Sequence, residues 1–322
     1  KLLYNHYYII IYMSKKNINN NIYGGVNDEM VSIRSSEIRP TDENDMKCAP
    51  TKKFEHGSCI PLNILVEMAH AYNKDNPNNK IELSATYETV QPDKYKRYLI
   101  YQFKKKLTKC TNQQCWTTQS FMKHLSDKTK DDVKNETFRP KGPNGKFTWL
   151  NTNNIDQVME QYEKKYHEYD FLGAVPIDFD DLPDYGIKDF NFKKSVENGK
   201  TKLGIIFNTD PHYKSGQHWI AMFTDLNEGT CYFFDSYGLP PEKEVRKLMN
   251  RIANFLVSIG KKPIMDHNRL QHQKGDNACG VYSLNFILRM LRGDGFETFN
   301  KERISDQEVN ECREYYFTKE KK

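Results

Sequence analysis

One stretch restricts the fold more than any other: Gln273-Lys-Gly-Asp-Asn-Ala-Cys279-Gly-Val-Tyr-Ser-Leu-Asn-Phe-Ile-Leu-Arg-Met-Leu-Arg-Gly293. Val281, Leu284, Ile287, Leu288 and Leu291 recur at three- and four-residue intervals. Asn277 stands where an N-cap belongs and Gly293 where a C′ glycine belongs, so the spacing predicts one amphipathic helix. Cys279 falls in its first turn. There the unpaired backbone N–H groups and the positive end of the helix dipole favour a thiolate. A small buried cysteine in a core helix gives the same local pattern, so a nucleophile needs partners elsewhere in the chain.

Those partners are a base, a group that orients the base, and donors for an oxyanion. Gln217-His218-Trp219-Ile-Ala-Met-Phe-Thr-Asp-Leu226 predicts an apolar strand with a histidine at its entrance. Asn227-Glu228-Gly229 predicts a turn, and Thr230-Cys-Tyr-Phe-Phe-Asp235 a second strand that ends on a carboxylate. The first residue of one hairpin strand faces the last of the other, which brings His218 and Asp235 to the same end of the sheet. Gln273, shortly before Cys279, could set its amide beside the Cys279 backbone N–H as a second oxyanion donor.

In the order His218-Trp219, Asp235, Gln273 and Cys279-Gly280, the chain resembles the ubiquitin-like-protein protease clan, which includes the SUMO proteases, the adenovirus protease and the core proteases of large DNA viruses. The text around Cys279 and the closing Ile304-Ser-Asp-Gln-Glu-Val-Asn-Glu-Cys-Arg-Glu-Tyr-Tyr-Phe317 is most similar to the giant-virus branch, near the asfarvirus polyprotein-processing protease. The resemblance covers residues 137–317 firmly, residues 48–136 only within the viral branch, and nothing earlier. It implies cleavage after Gly-Gly in a narrow channel walled by Trp219 and by Trp149 of the Trp149-Leu-Asn151 motif. A buried structural tryptophan is the alternative for Trp149.

With 322 residues, 37% of them hydrophobic and 13% aromatic, the chain can bury one large core or two modest ones. A net charge of +5 over 48 basic and 43 acidic side chains is a solvated surface, and no nucleic-acid site is expected from it. Seven cysteines, an odd number without framework spacing, predict a reducing compartment. Residues 1–12 are apolar but too short to span a bilayer and carry no signal-peptide pattern. Met13 reads as the true start, and residues 1–47 as a disordered leader or tail.

Residues 48–136 predict a helical accessory region, with helices over Leu62–Tyr72, Tyr95–Leu107 and Thr118–Leu125. The basic run Lys104–Lys106 reads as a solvated face. Cys110 and Cys115 invite a zinc site, for which only Cys48, His56 and Cys59 could be recruited at poor spacing. Cys59 is the rival nucleophile, because Gly57-Ser58-Cys59 opens a helix and precedes His218 and Asp235 in papain-like order. The oxyanion donor separates the two: six residues before Cys279 stands Gln273, six before Cys59 stands Lys53.

From residue 137 a Pro/Gly-rich segment marks the start of the catalytic domain, 137–322. A polar helix through Val158, Tyr162 and Tyr166 follows, then strands at Phe171–Phe179 and Lys202–Phe207, with an acidic surface loop between them. After Asp235, a helix through Val245–Leu256 closes at Gly260, and Pro263–Met265 is a short strand. His267 and His272 lie in the loop to Gln273; either could compete as the base, but His218 opens a strand paired to the one bearing Asp235, whereas loop histidines beside a charged run read as solvated.

The expected fold is α+β: a central, mostly antiparallel sheet carrying His218 and Asp235, packed on the Cys279 helix in the manner of papain-like and adenain-like cysteine proteases, with a helical N-terminal region. The expected function is a cysteine endopeptidase that cleaves after Gly-Gly in viral structural polyproteins or core precursors during virion maturation, in the host cytoplasm, viral factory and virion core. No cofactor, metal or membrane contact is expected. Two other activities fit the same four residues: deconjugation of SUMO or another ubiquitin-like protein, and acyl transfer through a cysteine thioester, as in an acetyltransferase.

Overall fold

The computed structural model of the protein describes residues 47–145 and 147–318. The expectations for Met13 and for residues 1–46 lie outside them. The N-terminal region has helices α1 (Leu62–Asp75), α2 (Ala85–Val90), α3 (Pro92–Lys106) and α4 (Asp127–Asn135); α1, α3 and α4 contribute to a core that includes Leu65, Met68, Leu99, Phe103, Trp116 and Phe121, whereas α2 buries none of its residues. The helix expected at Thr118–Leu125 is instead two 3-10 turns, Gln114–Thr118 and Ser120–His124.

In this region Cys48 is disulfide-bonded to Cys59 and Cys110 to Cys115. Two alternatives to the expected site are removed as a result, and one inference from composition is lost. Cys59 has no thiolate to offer, so it is not a rival nucleophile. Cys110 and Cys115 hold each other rather than a zinc ion. The odd count of seven cysteines, the ground for a reducing compartment, no longer carries that inference, because four of the seven are disulfide-bonded, which leaves only Cys231, Cys279 and Cys312 as thiols.

Residues 150–317 build a separate core around a five-stranded sheet. Helix α5 (Thr152–Lys165) opens on a capping box between Asn151 and Asn154. Then come β1 (Tyr169–Pro176), α6 (Phe192–Glu197), β2 (Lys202–Asn208), β3 (Trp219–Asp225), β4 (Thr230–Phe234), α7 (Lys243–Ser258) and β5 (Ile264–His267), in sheet order β1-β2-β3-β4-β5. The three central strands are antiparallel as expected, but both edges differ: β1 runs parallel to β2 and β5 parallel to β4. The connections explain this. β3 returns to β4 through a short turn, whereas the chain crosses through α6 and α7 before the parallel neighbours, as a parallel pair requires.

Helix α8 (Cys279–Leu291) is the centre of this core, and all thirteen of its residues are buried. It is therefore not amphipathic; the stripe read from Val281 to Leu291 is one face of a helix covered all round. Short helices α9 (Thr298–Lys301), α10 (Asp306–Glu311) and α11 (Arg313–Tyr316) cover its far side. Gly293 has a φ of +90°, as the C′ position demands.

Candidate active site

The hairpin register sets two of the four residues. Ala221 pairs with Phe234, so His218, just before β3, and Asp235, just after β4, meet at one end of the sheet. His218 Nε2 lies 2.7 Å from Asp235 Oδ1. The imidazole also hydrogen-bonds the Cys279 side chain, for which Nδ1 is the nitrogen left. Burial alone would push His218 down, but the hydrogen bonds and charges of Asp235 and Cys279 outweigh it and raise it from the ordinary 6.5 to about 9. The same burial without a cation beside it pushes the Cys231 thiol up to about 12, which marks that cysteine as inert packing.

Cys279 is the first residue of α8. Ala278, not Asn277, occupies the cap position, and no side chain caps the helix, which leaves its first-turn N–H groups for a ligand. The Asn277 carbonyl instead accepts from Arg313 Nη2 at 3.2 Å. Gly280 allows the close approach of Trp219: a Cβ there would lie 3.0 Å from Leu150 Cβ and 3.2 Å from Trp219 Cδ1. The Trp219 indole N–H donates to the Leu150 carbonyl at 2.9 Å, and the ring is buried. Trp149 is 43% exposed, so it is not a core tryptophan. Both line one cleft of about 350 Å³ with Leu150, Tyr185, His212 and Gly216.

Gln273 is fully buried in the loop that leads to Cys279. Its Oε1 accepts from Ser236 Oγ at 2.7 Å, and its Nε2 donates to the Gly275 carbonyl at 2.7 Å and to the Tyr237 hydroxyl at 3.3 Å. The loop itself is tethered by Asp306, whose carboxylate accepts from the Gly275 N–H at 2.9 Å and from Tyr282.

Several residues here escape the sequence reading. Tyr237 packs its ring on His218, with centroids 4.8 Å apart. Asn268 is buried against the Asp235 backbone. The Asp-Ser-Tyr run after β4 was the available signal for Tyr237; nothing in the sequence pattern marks Asn268. His272 differs from its expected solvated state. It is fully buried, with Nε2 at 2.8 Å from the Phe299 carbonyl and Nδ1 accepting from the Ile304 N–H, which fixes it as a neutral structural residue.

A thiol at an uncapped helix start, a histidine that bridges it to a carboxylate, and an amide on the adjoining loop define the class of protein as a cysteine peptidase. The comparisons with known proteins agree. The Ulp1 protease family, C-terminal catalytic domain, matches residues 193–322. A thiol protease of Acanthamoeba polyphaga mimivirus is 37% identical over 279 residues, covering 84% of this chain and 92% of that protein. The SUMO-1 cysteine protease of African swine fever virus is 26% identical over 233 residues, covering 66% of this chain and 85% of that one. A crystal structure of the African swine fever virus protease superposes with a TM-score of 0.59 at 20% identity, over 87% of this chain and 98% of that one, which is a likeness of fold. The chain belongs to the Ulp1 protease family and is a thiol protease.

Proposed function

We propose that the protein is an endopeptidase that cleaves after Gly-Gly in viral structural precursors, with Cys279 as nucleophile, His218 as general base and acid, Asp235 as orienter and Gln273 as oxyanion donor. The observation that carries the reading is the His218 imidazole, held by Asp235 at 2.7 Å on one nitrogen while it hydrogen-bonds the Cys279 side chain. His218 takes the Cys279 proton, and the thiolate adds to the scissile carbonyl. The Cys279 N–H and the Gln273 amide receive the oxyanion. As the tetrahedral intermediate collapses, the C–N bond breaks and His218 gives its proton to the leaving amine. His218 then takes a proton from water, which adds to the thioester; the thiolate leaves and the acid product is released.

The cleft beside Trp219 and Trp149 supports glycine at the positions before the cut, because a slot between two indoles admits backbone but little side chain. We place this cleavage in virion maturation, in the viral factory and the virion core, a setting that fits the viral origin of the relatives. Among the described residues no helix is long and apolar enough to cross a membrane.

The test is incubation of the purified protein with virion precursors, a Gly-Gly-Xaa peptide library and a panel of SUMO and ubiquitin conjugates, with Cys279→Ala as the control and mass spectrometry as the readout. Cuts after Gly-Gly in precursors support the reading. Turnover confined to conjugates would make the protein a deconjugase, as the name SUMO-1 cysteine protease suggests for the African swine fever virus relative. Equal cleavage by Cys279→Ala would reject the site itself.

A further inference from the structure

Three consecutive residues after β4 each hold a different part of the site. Asp235 binds His218 Nε2. Ser236 donates to Gln273 Oε1, which fixes which end of that amide faces the loop. Tyr237 is the residue that touches everything else. Its backbone N–H donates to Asp235 Oδ1 at 2.9 Å, the same oxygen that His218 reaches. Its ring lies on the imidazole at an interplanar angle of 31°. Its hydroxyl donates to the Gly275 carbonyl at 3.0 Å and accepts from Gln273 Nε2 at 3.3 Å.

The Gln273 amide has two hydrogens. One is committed to the Gly275 carbonyl at 2.7 Å; the other has only the Tyr237 hydroxyl, at a distance beyond the usual range for an N–H···O bond. A fully buried amide hydrogen without any acceptor is costly, and a strong acceptor in that place would compete with the oxyanion. A long bond to a neutral hydroxyl avoids both problems. The oxyanion carries charge and makes the stronger bond, so it displaces the hydroxyl while the hydroxyl keeps its own bond to Gly275.

We propose that Tyr237 is a positioning residue whose hydroxyl serves as the resting acceptor for the Gln273 amide and ties the oxyanion loop to the face of His218. The inference rests on the proposed roles of Gln273 and His218 and goes beyond them, since it assigns the readiness of the oxyanion donor to a residue of the turn that carries the orienting carboxylate. A Leu or Phe at 237 would cover the imidazole equally well but leave the loop untied.

The experiment is a double-mutant cycle of Tyr237→Phe and Gln273→Ala in the full chain, read as kcat and KM on a Gly-Gly peptide, with melting temperatures for all four proteins. The phenyl ring keeps its place on His218 and only the hydroxyl is lost. Tyr237→Phe is expected to lower kcat about five- to tenfold, the equivalent of one hydrogen bond, with KM unchanged. In the Gln273→Ala background the same change should alter kcat less than about twofold, because the amide it serves is gone. An equal cost in both backgrounds, or a native kcat in Tyr237→Phe, overturns the proposal while leaving the site intact. A fall in melting temperature that accounts for the loss in both backgrounds does the same. A native rate in Gln273→Ala overturns the role of Gln273 itself, which is a different outcome from the failure of Tyr237.

Discussion

Asn268 holds Asp235 as a neighbouring strand would: its Nδ2 donates to the Asp235 carbonyl at 2.7 Å and its Oδ1 accepts from the Asp235 N–H at 2.8 Å. The parallel pairing of β4 with β5 ends at Phe233 and His267, and the Asn268 amide extends it by one residue in side-chain form. The carboxylate is thereby fixed just past the last backbone rung, where a free strand end would fray. Both Asp235 backbone groups are buried with the residue.

Asn268→Ala should leave the Asp235 N–H without a partner, at about 1–3 kcal/mol, while the Asp235 carbonyl keeps the Gly238 N–H at 2.8 Å. We expect a loss of about 1–3 kcal/mol in urea unfolding and a fall in kcat that exceeds any change in KM. Unchanged stability together with native kcat would mean that Asp235 is held by something other than Asn268.

The acid–base pair predicts a pH dependence. A folded-state value near 9, above the ordinary 6.5, means that the charged His218 stabilises the fold fully below about 6.5 and that this contribution is lost as the pH rises through about 9. The protonated imidazole beside Cys279 is lost over the same interval, so turnover should decline on the alkaline side near pH 9. Asp235→Asn keeps an acceptor but loses the charge; its alkaline limb should move down toward 6.5 and its rate should fall on the order of 10²–10⁴. Asp235→Ala should lose more. Profiles of kcat/KM against pH for the three proteins decide this, and an unmoved limb in Asp235→Asn would remove Asp235 as orienter.

The disulfides separate stability from chemistry. Cys59→Ala opens an 11-residue closure to Cys48, for which chain entropy predicts a loss of about 3 kcal/mol. The N-terminal core should melt earlier while turnover by the native-temperature enzyme is retained. Cys279→Ala should do the reverse: near-native melting, no turnover, and no labelling by a thiol-reactive substrate mimic. A folded but inactive Cys59→Ala beside an active Cys279→Ala would reverse the nucleophile assignment.

What the sequence made legible was what local periodicity and short-range pairing determine. The central hairpin needs only alternation and a turn, and these bring His218 to Asp235. The helix behind Cys279 needs only its apolar spacing and Gly293. The edges of the sheet were not legible, because parallel pairing depends on where α6 and α7 carry the chain, and no local pattern in β1 or β5 encodes it. The Cys48–Cys59 pairing was hidden for the same reason: it depends on the turn through His56 and Gly57, both at positive φ. Tyr237 and Asn268 were missed because each works through backbone groups or a single hydroxyl, contacts that leave no spacing rule. His272 reads as a polar loop residue until Phe299 and Ile304, far along the chain, close over it.

The proposed specificity depends on how the two tryptophans are mounted. Trp219 is built into the core, with its N–H on Leu150 and its ring against Gly280, so Trp219→Ala would disturb the start of α8 as well as the cleft. Trp149 is half-exposed on the same cleft and can be removed with less damage. A wall that excludes one methyl group discriminates by about 10–200-fold, so the native protease should prefer Gly to Ala before the cut by a factor in that range. Trp149→Ala should slow cleavage of Gly-Gly substrates and narrow the preference to less than about tenfold, with no change in the alkaline limb set by His218. Competition between paired Gly-Gly and Gly-Ala peptides, followed by mass spectrometry, measures the ratio directly. Preferred cuts after Ala, Leu or basic residues by the native protein would sink both the slot and the maturation role that depends on it.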